Sequence, residues 1–205
     1  MDSSAAALLD HGAGQRDATR FIVAGRFGDE PELISHRRLD YFAAAGGRLL
    51  ETADSYARGR SEELVGRWLR ANPGALGIIT KVGYSLSGGD IELPAEVVRR
   101  HVEGSLRRLG VPTVDVLLLH RDDPSRPVSE LVETLKELVW RGYARRVGVS
   151  NWTPGRLGEL AALMGDAGHV PVVSYHRSLA VPRFRDSTVP YADDAVMALV
   201  AIPVF

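Results

Sequence analysis

Residues 94–120 read PAEVVRRHVEGSLRRLGVPTVDVLLLH. Pro94 suits a first helical turn, where the N–H it lacks would have no intrahelical partner anyway. Val97, Val98, His101, Val102, Leu106 and Leu109 then recur at helical spacing and make an inward stripe. Gly110 ends the helix, as a residue free to turn left-handed does. Arg99, Arg100, Arg107 and Arg108 lie largely off the stripe and are expected on a solvated face. Val114–Leu119 follows as an apolar run, the composition of a strand buried on both faces. A helix that delivers the chain to a doubly buried strand belongs to a parallel sheet covered by helices.

The same alternation extends in both directions. Strand-like runs at 21–24, 48–52, 76–80, 146–150 and 170–174 alternate with helical patterns at 31–45, 61–71, 128–141 and 154–164. In the second of these helices Leu64, Val65, Trp68 and Leu69 share one face. In the later one Leu131, Leu135, Leu138 and Val139 point inward. Such an order predicts right-handed crossovers between parallel strands, in a doubly wound sheet or a barrel. No G-x-G-x-x-G follows the first strand and no Walker A sequence occurs, so the Rossmann and P-loop readings lose their strongest support. Residues 177–194, with Pro182 and Pro190, read as a loop. Ala195–Phe205 is apolar apart from Pro203, and suits a seventh strand or a short helix leading into one.

Composition narrows the function. Of 205 residues, 45% are hydrophobic, enough for a sizeable core. The net charge is −1, with 25 basic and 26 acidic residues, so no global basic field draws the chain to nucleic acid or to an anionic membrane. The absence of cysteine excludes disulfides, zinc–thiolate sites and thiol nucleophiles, and suits a reducing cytoplasm. No apolar run reaches the ~18 residues of a membrane span. Residues 1–20 lack a basic n-region and read as a frayed leader, leaving 21–205 as one domain.

Enzymes on parallel α/β folds gather polar side chains at the carboxyl ends of their strands. Here the second strand ends in Glu51, Thr52, Ala53, Asp54, Ser55 and Tyr56, and the third in Lys81. The fourth ends in His120 and the fifth in Ser150 and Asn151. Each has an ordinary alternative. A lysine after a strand is commonly at the surface, a histidine there is often a satisfied core-edge residue, a loop tyrosine packs, and Ser-Asn caps a helix. That successive strands all carry such groups at the same end is the argument for an active site.

These residues also carry a resemblance. ETADSYARGRSEELVG at 51–66, ITKVG at 79–83, SLRRLGVPTVDVLLLH at 105–120 and the run from Leu138 through GYARRVGVSNW to Trp152 resemble, in order and spacing, segments of the aldo-keto reductases. The resemblance runs from about Phe21 to about Leu179. It implies a (β/α)8 TIM-type barrel, here incomplete, with about six βα units, a candidate seventh strand and no eighth unit. It implies NADPH, the family's habitual cofactor, and reduction of a small-molecule aldehyde or ketone. By position, Tyr56 would be the general acid, Lys81 would favour proton release from it, and the carboxylate of Glu51 would hold Lys81. A free phenol, with a pKa of roughly 10, is a poor acid at neutral pH without such help. His120 would position the carbonyl. Ser150 and Asn151 would hold the nicotinamide carboxamide, with Gly25 and Ser174 as further cofactor-binding positions.

Three departures qualify this reading. Glu51 stands where the family has aspartate, and a misplacement near 1 Å costs on the order of 100-fold in rate. The family's glutamine on the sixth strand is replaced, with Ser174 or Tyr175 near its place and His176 and Arg177 beside it. No segment for a stacking aromatic or a 2′-phosphate grip follows Phe205, so NADH stays open beside NADPH. An unclosed barrel would leave the first and last strands as open edges, which predicts self-association. Three functions are therefore carried forward: a carbonyl reductase, a non-catalytic scaffold or partner protein, and a truncated barrel fragment.

Overall fold

Seven parallel strands pair in the order in which the chain makes them, β1-β2-β3-β4-β5-β6-β7. The computed structural model describes residues 22–85, 89–165, 171–176 and 197–201. The strands are β1 Ile22–Ala24, β2 Leu49–Glu51, β3 Gly77–Val82, β4 Val114–Leu119, β5 Ala144–Ser150, β6 Val172–His176 and β7 Met197–Ala201. Helices α1 Glu32–Ala44, α2 Arg60–Ala71, α3 Ala95–Leu109, α4 Val128–Trp140 and α5 Pro154–Gly165 fill the crossovers between the first six. This is the (β/α)8 pattern through five βα units and two further strands, in line with the expected incomplete barrel. Of the two forms open for the apolar stretch near the end, the strand is the one made. The predicted leader at 1–20, the loop at 177–194 and Arg177 lie outside the described residues.

The sheet curls until Cα atoms of β7 come within 8 Å of β1, although the two are not paired neighbours. Curling divides each strand by parity, because successive side chains point to opposite faces. Leu49, Ile79, Val116, Leu118 and Val172 form one small apolar cluster. Leu50, Ile78, Val82, Leu117, Leu119, Val149 and Val173 belong to a larger one, with Leu64, Val98, Leu131 and Leu157 of the helices. The first set therefore lines the inside of the curl and the second lies under the helices. Two residues further along the same strands, the inner parity arrives at Glu51, Lys81, His120 and Ser174. The floor of the barrel is aliphatic and its carboxyl-end rim is polar.

The predicted helix stop is in place, with Gly110 left-handed at φ 71°. One expectation about that helix fails. Arg108 is not on a solvated face: its Nε donates to Oε2 of Glu62, a fully buried carboxylate of α2, at 2.8 Å. Thr80 of β3 donates to the other oxygen at 2.6 Å. Burial pushes the Glu62 carboxyl up, and Arg108 is the first of the groups that pull it back. Arg99 is likewise engaged, with Glu137 of α4 at 3.0 Å. A single helix cannot show its own partners, and the reading of Arg99 and Arg108 as solvated came from α3 alone.

The α2–α3 contact that seats Arg108 is close because α2 carries glycine at its crossing point. A Cβ on Gly66 would stand 2.2 Å from the Arg108 carbonyl oxygen and 2.8 Å from that of Leu109. In an exposed helix, glycine to alanine gains about 1 kcal/mol. Here the sign reverses. Gly66→Ala is expected to destabilise the domain by about 1–3 kcal/mol through overpacking, read as a lower denaturant midpoint at unchanged slope.

Candidate active site

The polar rim is organised around Lys81. Its side chain is buried, and Nζ donates to Oε1 of Glu51 at 2.7 Å and to the Thr52 carbonyl at 3.1 Å. Ser174 Oγ donates to the other Glu51 oxygen at 3.2 Å. Glutamate in place of aspartate thus does not break the pair: the longer side chain meets Lys81 on one oxygen and reaches Ser174 of β6 with the other. Ser174, expected at a cofactor contact, has its hydroxyl turned to Glu51.

Tyr56 opens a 3-10 turn, Tyr56–Gly59, just after β2. The backbone before it is tied to β3 by hydrogen bonds from Thr52 N to Ile79 O and from Asp54 N to Lys81 O, each 2.9 Å. Lys81 Nζ lies 5.0 Å from the Tyr56 ring centroid. The His120 ring meets that of Tyr56 edge-on at 5.6 Å, and its Nδ1 is 3.3 Å from Ser55 Oγ. Among the described residues the Tyr56 hydroxyl has no hydrogen-bond partner.

The other predicted positions join the same network. Asn151, left-handed at φ 58°, donates from Nδ2 to Ser150 Oγ at 2.9 Å, and its N–H donates to the Ser174 carbonyl at 2.9 Å. Gly25 N donates to the Glu51 carbonyl at 3.2 Å. Contacts thus run without a break through Gly25, Glu51, Lys81, Tyr56, His120, Ser174, Asn151 and Ser150. Ser150 and Asn151 together present a hydroxyl and a primary amide, a donor and acceptor set that matches a carboxamide.

A cleft of about 770 Å³ opens beside Tyr56 and His120, bounded by the loops after β1, β2, β3 and β4. This volume suits a small-molecule ligand. Its walls include Arg26, Asp29, Ser55, Arg58, Arg60, Tyr84 and Arg121. Tyr84 stands 5.6 Å from the His120 ring and is held by a bridge to Ile91. Tyr84 and the arginines have no signal in periodicity, since they lie on loops whose approach depends on the curl.

Behind the site, Asp54 is buried and accepts from His101 Nδ1 at 2.9 Å, while His101 Nε2 faces Glu92 at 3.2 Å. With a carboxylate on each nitrogen, His101 is best satisfied as the imidazolium. Its hydrogen bond to Asp54 raises its pKa, against partial burial. Burial pushes the Asp54 carboxyl up, against the pull of His101. Asp54 Oδ1 has no hydrogen-bond partner. His101 had been expected only as part of the inward stripe of its helix.

Comparison with known proteins places these observations in a lineage. The profile of the aldo/keto reductase family matches residues 27–202. Norsolorinic acid reductase B of Dothistroma septosporum is 27% identical over 192 residues, covering 85% of this chain and 47% of that protein. A glycerol dehydrogenase structure from Gluconobacter oxydans superposes with a TM-score of 0.77 at 27% identity, covering 88% of this chain and 58% of its own. The holo form of an aldo-keto reductase from Bacillus halodurans gives a TM-score of 0.76 at 23% identity, covering 88% and 61%. The chain spans about half the length of the curated relative and about three-fifths of each structure.

Two measurements test this arrangement. Glu51→Gln leaves the Lys81 ammonium buried without a counter-charge and is expected to cost on the order of 3–5 kcal/mol of stability, read by urea unfolding. His101 has a folded-state pKa above its unfolded value, so its contribution is full below about pH 6.5 and is lost as pH rises through the folded pKa. The wild type should therefore lose stability as pH rises above about 6.5. His101→Ala should flatten that slope and lower stability at pH 6 by on the order of 3 kcal/mol. Equal pH slopes in both proteins would contradict the assignment.

Proposed function

The chain belongs to the aldo/keto reductase family, and from that premise we propose that it reduces an aldehyde or ketone to the alcohol, with Tyr56 as proton donor. The observation that carries the proposal is a cleft-lining tyrosine with a buried lysine ammonium 5.0 Å from its ring. An ammonium at short range favours the phenolate that remains once the proton has left. The Glu51–Lys81 pair, at 2.7 Å, sets a carboxylate against that ammonium in a site shut off from water, where an unpaired charge is costly.

A nicotinamide cofactor, when bound, would supply the hydride. Ser150 and Asn151 are the residues that would hold its carboxamide, and Gly25 leaves the backbone at the end of β1 free of a side chain. We take Ser174 as a positioning residue, because its hydroxyl acts on Glu51. His120 borders the cleft next to Tyr56 and would hold the carbonyl oxygen where the phenol can reach it. The carbonyl carbon gains a hydride and the oxygen gains the Tyr56 proton, giving the alcohol. The phenolate is then reprotonated from water. NADPH is the expected nicotinamide, and the cysteine-free composition suits a reducing cytoplasmic setting.

Fluorescence titration with NADPH and NADH tests the cofactor, using Trp152, which follows Asn151 directly. Turnover of a small aldehyde tests the chemistry. Tyr56→Phe is expected to lower kcat by roughly 10²–10⁴-fold, the usual worth of a positioned acid, while cofactor binding persists. A folded chain that binds neither nucleotide, or a Tyr56→Phe variant with undiminished turnover, would overturn the reductase reading in favour of the scaffold one.

A further inference from the structure

Four arginines border the cleft, Arg26, Arg58, Arg60 and Arg121, against one carboxylate, Asp29. That carboxylate is committed to Arg26, at 3.0 Å. Among the described residues, Arg58, Arg60 and Arg121 have no carboxylate partner. Nearby acids are engaged elsewhere: Asp122 pairs with Arg156 at 2.8 Å, and Asp123 accepts from the Ser125 hydroxyl at 2.5 Å. The mouth of the cleft therefore holds net positive charge in a chain whose total charge is −1. A concave wall of one sign focuses field toward its interior and concentrates ligands of the opposite sign.

The backbone supplies a second, independent observation. Ala57 and Arg58 are left-handed in succession, at φ 49° and 56°. Non-glycine residues avoid this region, and each costs roughly 1–2 kcal/mol relative to a right-handed conformation. Glycine would remove the strain at Arg58 and would also remove the guanidinium from the cleft. Strain kept at a ligand-facing position points to a use for the side chain. The neighbouring loop is fitted to this turn: a Cβ on Gly28 would stand 2.7 Å from the Ala57 Cβ, so the Arg26 and Arg58 loops touch at the cleft wall.

We propose that this arginine rim selects carbonyl substrates that carry a second, anionic group, a carboxylate or a phosphate, at the end away from the carbonyl. The inference rests on the reductase reading for the position of the carbonyl, at Tyr56 and His120, which border the same cleft. Guanidinium groups bind carboxylate and phosphate through paired, charge-assisted hydrogen bonds. The carbonyl end meets the phenol and imidazole, and the anionic end meets Arg58, Arg60 and Arg121. The cofactor's own phosphates are the other anions such a rim could serve, and the test separates the two.

The experiment compares succinic semialdehyde with butanal, which have the same carbon chain and differ in the terminal carboxylate. The wild type should prefer the acid in kcat/KM by about tenfold or more at low salt, with the preference shrinking as ionic strength rises. In the Arg58→Ala/Arg60→Ala double variant the ratio of the two kcat/KM values should fall by about tenfold. Succinate, an unreactive dianion, is titrated separately by tryptophan fluorescence without cofactor. It should bind the wild type, and the double variant about tenfold more weakly. If succinate binding depends on the arginines but no aldehyde turns over, the rim stands and the reductase reading falls. If aldehydes turn over with no preference for the acid, the reductase reading stands and this proposal falls. It falls equally if the double variant keeps its preference and instead binds NADPH more weakly. Arg58→Lys in the Arg60→Ala background, which keeps the charge but loses the guanidinium fork, should restore part of the preference and so separates binding from misfolding.

Discussion

A buried ammonium is costly unless a carboxylate is held against it, and most of this structure is the means of holding one. Lys81 and Glu51 are on adjacent strands, with Nζ and Oε1 at 2.7 Å, and the second Glu51 oxygen is fixed from β6. Burial makes both ions costly, and only close geometry with further hydrogen bonds returns that cost. Thr52 and Ser174 supply those bonds. The Ser174 contact joins residues 123 positions apart and exists only because the sheet curls far enough to bring β6 across from β2. The pair therefore depends on the whole arc of strands.

The helices hold that arc from outside by a second set of buried charges. Glu62 and Arg108 join α2 to α3, and Thr80 ties Glu62 to β3 one residue before Lys81. Asp54 and His101 join the loop carrying Tyr56 to α3. The two networks sit on opposite faces of the same strands, one facing the barrel interior and one facing the helices. Each fixes part of the frame from which Tyr56 and Lys81 project.

The alternation of elements was legible because buried parallel strands and amphipathic helices have different periods, and because Gly110 marks a real left-handed residue. The candidate site was legible as a cluster because polar side chains collect at strand ends, so Glu51, Tyr56, Lys81, His120, Ser150 and Asn151 could be named as neighbours from their place after a strand. The unread parts share a physical cause. The partner of Arg108 is on another helix, the partner of Ser174 is across the barrel, and Tyr84 reaches His120 through a loop fold. Ala57 and Arg58 take a conformation that their side chains do not advertise. Local pattern reports which face a residue takes; it does not report what that face meets.

The division of each strand by parity has a consequence for how such a protein can change. Leu49 and Glu51, Ile79 and Lys81, Val172 and Ser174 are pairs in which one residue fills the barrel floor and the next of the same parity stands on its rim. Inserting or deleting a single residue within a strand would exchange the two faces at once. It would send the lysine toward the helices and an aliphatic side chain toward the cleft. Point substitutions leave that frame alone, and loops can lengthen or shorten outside it. Variation among descendants of this chain is therefore channelled into the loops after the strands, where Arg26, Arg58 and Arg121 are found. New cleft walls can be tried there without disturbing the Glu51–Lys81 pair.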